Sequence, residues 1–462
     1  MIVERAATLL TETRPLAERF SEAGFDLYLV GGIVRDLVLG REVDSSDLDL
    51  DLTTAARPDQ IKDLLEGWAD AIWTQGERFG TIGAMVAGRR FEITTHRAEV
   101  YDPDSRKPSV EFSSDLETDL SRRDFTVNAM ALCVTSPSAE LIDPFDGHGH
   151  LTEGLLRTPL SPEVSFGDDP LRMLRAARFV AGYSLRPDGD LLEAATRLAG
   201  RLEIVSPERI RAELDKLIVV DDPSSGLWFI HDTGLGEVFF PELSQMRVEQ
   251  DPIHRHKDVL AHTIAVVAKT SPNLRLRLAA LFHDVGKPLT RSIDDGGVSF
   301  HHHEVVGARM TRERMRALRY SNEMVRDVSQ LVYLHLRFHT YGMGWTDSAV
   351  RRFVRDAGDQ LAELIELTRC DCTTRNQRKA DMLARRMDQL EERIAELRER
   401  DELLAVRPDI DGEDVMIHLG VPPGPVIGRA LRHLLDLKLE RGPLDRDEAL
   451  AALDEWWASV GE

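Results

Sequence analysis

LVGGIVRDLVLGREVDSSDLDLDLTT, Leu29 to Thr54, reads as strand, glycine turn, short helix, loop and strand. The apolar run before it ends at Gly31-Gly32, a pair that lets backbone amides approach a phosphate closely. Arg35 and Asp36 follow at the start of the helix, where a guanidinium can reach a polyphosphate. Asp47, Asp49 and Asp51 then alternate with Leu48, Leu50 and Leu52. In a strand, alternate side chains share a face, so the acids converge on one side and the leucines pack on the other. Carboxylates held that close repel each other unless a cation sits between them, and a hard divalent ion with oxygen ligands, Mg²⁺ above all, suits them. A half-buried edge strand with a solvated acidic face gives the same alternation. The glycine turn and the acids together, with Arg35-Asp36 between them, favour nucleotidyl transfer assisted by two metals.

Working outward, 462 residues can hold two to four domains and bury a sizeable core. Hydrophobic residues make up 42% and charged residues 30%, the balance of a soluble globular protein. No apolar run approaches a membrane span and the N-terminus lacks a signal-peptide pattern. Three cysteines, Cys133, Cys370 and Cys372, cannot make a disulfide framework, and none forms a CxxC metal pair. A reducing cytoplasm is the expected location. The net charge of −22 excludes indiscriminate nucleic-acid binding but leaves room for a local basic groove.

The period-two pattern predicts strands at Leu27–Val30, Leu48–Leu52, Ile82–Val86, Phe91–Thr94, Ala131–Val134 and Leu141–Ile142, with helices over Met1–Gly24, Asp59–Ala69 and Val127–Leu132 among them. Beyond residue 165 strand signals nearly vanish, so the expected fold class is α+β: a mixed head followed by a mostly helical remainder. Leu383, Met387, Leu390, Ile394 and Leu397 follow 4-3-4-3 spacing, a short helical seam against the protein's own body. Thr158–Phe166, Asp221–Ser225, Met246–Ile253 and Val406–Gly412 read as linkers.

Three further groups carry chemistry. Glu92, on a predicted strand, can supply a third carboxylate to the acid pair or simply pair with Arg90. Arg122-Arg123-Asp124 and Asn128 sit at an expected helix start, where backbone amides also favour a triphosphate or ribose. Asp168-Asp169-Pro-Leu-Arg172 opens a helix with acids and continues to Arg175 and Arg178. Asp169 and Arg172 at i,i+3 make a plain salt bridge or a base-reading pair. A carboxylate accepts from the exocyclic amino group of cytosine or adenine and repels the carbonyl of uracil or guanine. An arginine donates to the adjoining ring acceptor.

The blocks GGIVRD, DLDL, RRDFTVNA, LIDPFDG, DDPLRMLRAARF and SPERIRAELDKLI, taken in order over residues 25 to 220, resemble the class II tRNA nucleotidyltransferase / poly(A) polymerase family, to which CCA-adding enzymes belong. The resemblance implies a polymerase-β-like head over residues 1–150 and a helical neck with the nucleobase-selecting helix over 151–250. A helical metal domain over 251–375 and a tRNA-binding helical tail over 376–462 would follow. It also implies CCA addition to tRNA from CTP and ATP without a nucleic-acid template and without a membrane. Asp49 and Asp51 would be the metal ligands, with Glu92 beside them. Gly31, Gly32, Arg35 and Asp36 would form the triphosphate cradle. Arg122, Arg123, Asp124 and Asn128 would make the ribose and nucleotide contact. Asp169 and Arg172, with Arg175 and Arg178, would be the protein template, supported by Glu208, Arg209 and Arg211. Asp47 is an acid beyond the family pattern, so the metal register can also be read two residues earlier.

A second series runs through His262, His283-Asp284, His301-His302-His303-Glu304, His335 and Asp371. Imidazoles and carboxylates on successive helices can converge on a transition metal that activates water. The series resembles the HD phosphohydrolase superfamily over about residues 255 to 375. That implies a divalent metal held by His262, His283, Asp284, His303 and Asp371, or a decayed remnant of such a site. Some bacterial CCA-adding enzymes carry this domain with phosphatase or 2′,3′-cyclic phosphodiesterase activity. The competing readings are a poly(A) polymerase and an HD phosphohydrolase with an inactive head.

Overall fold

A computed structural model describes residues 5–41, 49–100, 109–136, 138–248, 258–294, 297–372, 377–401 and 409–460. Asp47 and Leu48 therefore lie outside the described residues, as does much of two linker candidates. The fold is α+β and divides into two compact units, residues 1–245 with 317–319, and 246–316 with 320–462.

The first unit is built on a mixed sheet. Its strands are β1 (Leu27–Val30), β2 (Leu50–Thr54), β3 (Ala71–Trp73), β4 (Thr81–Val86), β5 (Arg89–Thr95), β8 (Ala131–Cys133) and β9 (Leu141–Ile142), and β6 (Arg97–Val100) with β7 (Ser109–Phe112) makes a separate ribbon. The spatial order is β3-β4-β5-β2-β1-β8-β9. Within this sheet, among the described residues, only β2 and β5 pair in parallel, with Leu50 beside Phe91 and Asp51 beside Glu92. Leu50, Leu52, Phe91 and Ile93 point into the core, while Asp51 and Glu92 face away from it. Burial of the two leucines contributes roughly 3–6 kcal/mol, which fixes the face the acids occupy. A slip of one residue would exchange the two sets.

In the same unit helix Leu171–Gly182 packs against helices Pro207–Ile218 and Ser224–Asp232. Three expectations need correction here. Helix Leu116–Ser121 ends at Arg122, so the two arginines cap a helix C-terminus rather than open a helix. Residues 126–128 form a single 3₁₀ turn leading into β8, not a helix through Leu132. Asp168 closes the preceding helix Pro162–Asp168, which runs through the end of the expected linker Thr158–Phe166. The helix that follows starts at Leu171 with no acid in its first turn.

The second unit is helical apart from a hairpin, Arg291–Asp294 with Gly297–Phe300, which the strand pattern missed. Helix Gln377–Asp401 carries the expected seam, with Met387, Leu390, Ile394 and Leu397 buried. Helices Gly412–Leu419, Pro425–Arg441 and Arg446–Val460 close on a small core of Val415, Ala430, Leu434, Ala449 and Leu453. No helix among the described residues is long and apolar enough to cross a membrane.

Candidate active site and candidate metal centre

Gly31 ends β1 with φ 78°, a left-handed conformation open to glycine at little cost, and helix Gly32–Leu39 begins directly after it. A Cβ at Gly31 would sit 3.4 Å from Arg123 Nη1 and 3.8 Å from Asp51 Oδ2. Turn, arginine and carboxylate thus meet at one point. Asp49, at the entrance to β2, adds its charge and lies 3.6 Å from Arg90. Crowding by the protein pushes the Asp51 carboxyl up to about 6; Arg123 pulls it back, while Glu92 and Asp49 push it further. Glu92 therefore stands beside Asp51, and Arg90 pairs with Asp49 instead.

Behind this point the RRDFTVNA block is tied down by its acids. Asp119, fully buried, accepts from Arg122 at 3.0 and 2.7 Å and from Arg123 at 3.5 Å. The sequence reading missed Asp119, although its i,i+3 and i,i+4 spacing to the arginines signals the contact. Asp124 accepts from Arg175 at 2.8 Å and from Asn128 at 3.0 Å. Burial opposes its charge, yet these partners hold its carboxyl below the usual carboxylate range. Asn128 in turn accepts from Arg35 at 2.7 Å, and Arg35 also grips Asp36 at 2.9 and 3.0 Å.

Asp169 and Arg172 do not pair with each other. Asp169 caps the helix through Leu171 N at 3.1 Å and accepts from Arg209 at 2.9 Å. Arg172 donates to Ser165 Oγ at 3.0 Å and to the Arg122 carbonyl. Their backbones do meet, Arg172 N donating to the Asp169 carbonyl at 3.0 Å, but the two side chains take long-range partners instead. Arg178 donates to the buried Glu213 at 2.9 Å.

In the second unit, His283 and His335 follow helices Leu274–Phe282 and Asn322–Leu334, His303 opens helix His303–Ala317, and Asp371 ends helix Leu361–Asp371. Each of the three histidines turns Nδ1 to the carbonyl three residues earlier: His283 to Ala280 at 2.7 Å, His303 to Phe300 at 2.8 Å, His335 to Val332 at 2.6 Å. A carbonyl only accepts, so Nδ1 carries a proton on each ring and Nε2 is the nitrogen turned inward. Asp284 lies at the centre, 3.2 Å from His283, 3.5 Å from His262 and 3.4 Å from His303, while Asp371 approaches His262 at 2.9 Å. Gly286 allows this: a Cβ there would strike the His303 carbonyl at 2.3 Å. His302 is 83% exposed on its side chain and turns outward, so His303 is the histidine of that triplet facing the acids.

Two ligand sets share Asp284, one with His262 and His283, the other with His303 and His335, each with its donor atoms within 4.8 Å. His335 thus joins the five residues singled out from the sequence. Burial disfavours a charged His283, but Asp284 and Asp371 push it up to about 10; burial and His283 push His335 down to about 3. The buried Nε2 atoms of His303 and His335 have no hydrogen-bond partner. Nitrogen donors without partners around two carboxylates fit a transition-metal cation.

Residues 27–157 match the poly(A) polymerase head domain, 185–246 the probable RNA- and SrmB-binding site of polymerase A, and 231–397 the HD domain. The sheet, the glycine turn and this head match define a nucleotidyltransferase. An A-adding tRNA nucleotidyltransferase of Deinococcus radiodurans is 32% identical over 443 residues, 93% of this chain and 95% of that one. The chain belongs to the tRNA nucleotidyltransferase / poly(A) polymerase family. A CCA-adding enzyme of Ligilactobacillus salivarius is 37% identical over 236 residues, 51% of this chain and 56% of that one. The structure of the Bacillus stearothermophilus CCA-adding enzyme in complex with CTP shares the fold, with a TM-score of 0.69 at 22% identity over 97% of this chain and 98% of that one.

Proposed function

We propose that the protein completes tRNA by adding the 3′-terminal CCA from CTP and ATP, in the cytoplasm. The observation carrying this reading is the meeting of Asp51, Glu92 and Arg123 at the Gly31 turn. It occurs in a chain that aligns almost end to end with a tRNA nucleotidyltransferase. Asp49 and Asp51 are the proposed metal ligands, with Glu92 alongside; an all-oxygen donor set and a carboxyl raised by burial and then by its acidic neighbours fit Mg²⁺. Bound there, the divalent cations would supply the charge that acidifies the tRNA 3′-hydroxyl and offsets the departing pyrophosphate. The chain's own groups orient the reactants. Gly31 and Gly32 let backbone amides reach the triphosphate, and Arg122 and Arg123, held by Asp119, offset its charge. Asp124 and Asn128 face the ribose. Asp169 and Arg172 read the base edge once their resting partners, Arg209 and Ser165, yield to CTP or ATP.

Incubating tRNA lacking its last three nucleotides with each labelled triphosphate separately tests this. C should enter from CTP alone, A only after C, and UTP and GTP not at all. The full-length Deinococcus relative favours a second reading, addition of A only; labelling of tRNA ending in CC but no entry of C would select it.

Asp51 also sets a pH dependence. Below about 6 its carboxyl is protonated and competes with the cation; above that it is charged and free to bind. The Mg²⁺ concentration for half-maximal addition should rise about fivefold as pH falls from 6 to 5. A requirement independent of pH would reject Asp51 as a ligand.

At the second site we propose a divalent transition metal held by His262, His283, Asp284, His303, His335 and Asp371, serving phosphoester hydrolysis. There Asp284 and Asp371 offset cationic charge, and the three pinned imidazoles hold the donor set in place.

A further inference from the structure

Helix Leu171–Gly182 does a second job at the end opposite Asp169 and Arg172. Tyr183, directly after it, lies under two guanidiniums: Arg35 Cζ is 4.1 Å from its ring centre and Arg41 Cζ 4.7 Å. The ring stacks on Phe179 at 5.2 Å and 24°, and Phe179 packs on Phe125 of the RRDFTVNA block at 5.1 Å. Arg35 spends Nε and Nη2 on Asp36 and Nη1 on Asn128, which engages the edge of its guanidinium and leaves its two flat faces to stacking. One of them meets the negative face of Tyr183. Nothing separates the turn from this guanidinium, since a Cβ at Gly32 would lie 3.2 Å from Arg35 Nη2. Ser184 then takes φ 53°, a left-handed conformation costly for a non-glycine residue, and turns the chain away immediately after the ring.

We propose that Tyr183 is a positioning residue for nucleotide binding. Its ring fixes the plane of Arg35, and Arg35 so held ties the glycine turn to the Asn128–Asp124 pair. The proposal rests on reading the head as the nucleotide site. The bond network reached from Tyr183 runs to the turn and to the ribose-facing pair, not to Asp169 and Arg172. Loosening it weakens all triphosphates alike and leaves base selection intact.

The test compares Tyr183→Leu, which keeps apolar bulk without a π face, with Tyr183→Phe, which keeps the face without the hydroxyl. In steady-state addition to truncated tRNA, Tyr183→Leu should raise KM for CTP and ATP by the same factor, about five- to tenfold. Its kcat and its rejection of UTP should stay within about twofold of the parent, and Tyr183→Phe should match the parent. Unchanged KM in Tyr183→Leu, equal damage in Tyr183→Phe, or a loss confined to kcat overturns the proposal. If Tyr183→Leu does not fold, Arg35→Lys carries the test. It keeps the charge, loses the fork, and must raise both KM values alike, or the proposal fails. Parent protein that adds no nucleotide rejects the functional reading instead; a parent that adds nucleotide beside an unaffected Tyr183→Leu rejects only this inference.

Discussion

Replacing Asp49 and Asp51 together by alanine should lower nucleotide addition by at least about a thousandfold, measured as single-turnover extension of truncated tRNA. Backbone pairing sets Asp51 beside Glu92, and Asp49 adds to the same cluster of negative charge. Loss of fold does not explain such an outcome. Asp51 has a raised pKa in the folded chain, so above about 6 its ionised form is disfavoured by folding, and removing it takes away a repulsion rather than a support. The thermal midpoint of the double variant should therefore equal or exceed that of the parent. Extension at full rate by this variant would reject the head as the site of chemistry.

The second large effect belongs to Asp284. Its side chain is 1% exposed and lies within 3.5 Å of three imidazoles, with Lys287 at 2.6 Å. Asp284→Asn keeps the shape and one acceptor oxygen but removes the charge shared by both ligand sets. We expect metal content to fall below half of the parent value and hydrolysis of a 2′,3′-cyclic phosphate to drop by about a hundredfold or more. Nucleotide addition should stay within about twofold. Undiminished metal content in Asp284→Asn would remove the acid from the centre. Equal loss of nucleotide addition would contradict independence of the two activities.

The parts legible from sequence were those that short-range periodicity controls. Alternation at Asp49–Leu52 placed acids and leucines on opposite faces, because a strand reverses its side chains at every residue. The seam from Met387 to Leu397 followed helical spacing in the same way. The pairing of Asp169 was not legible, since its partner Arg209 lies forty residues further along the chain. His335 stood in the expected series, but nothing in the sequence makes it a ligand until the fold carries it to His283 and His303. The hairpin of Arg291–Asp294 with Gly297–Phe300 did carry a signal, since the sequence between its strands is Asp295-Gly296, a strong short-range hairpin cue.

The backbone tethers on His283, His303 and His335 have a practical result. Three rings that cannot swivel make a socket whose shape outlasts its contents. A chelator should empty it without collapsing the surrounding helices, and refilling should run at the pace of ion arrival rather than of chain rearrangement.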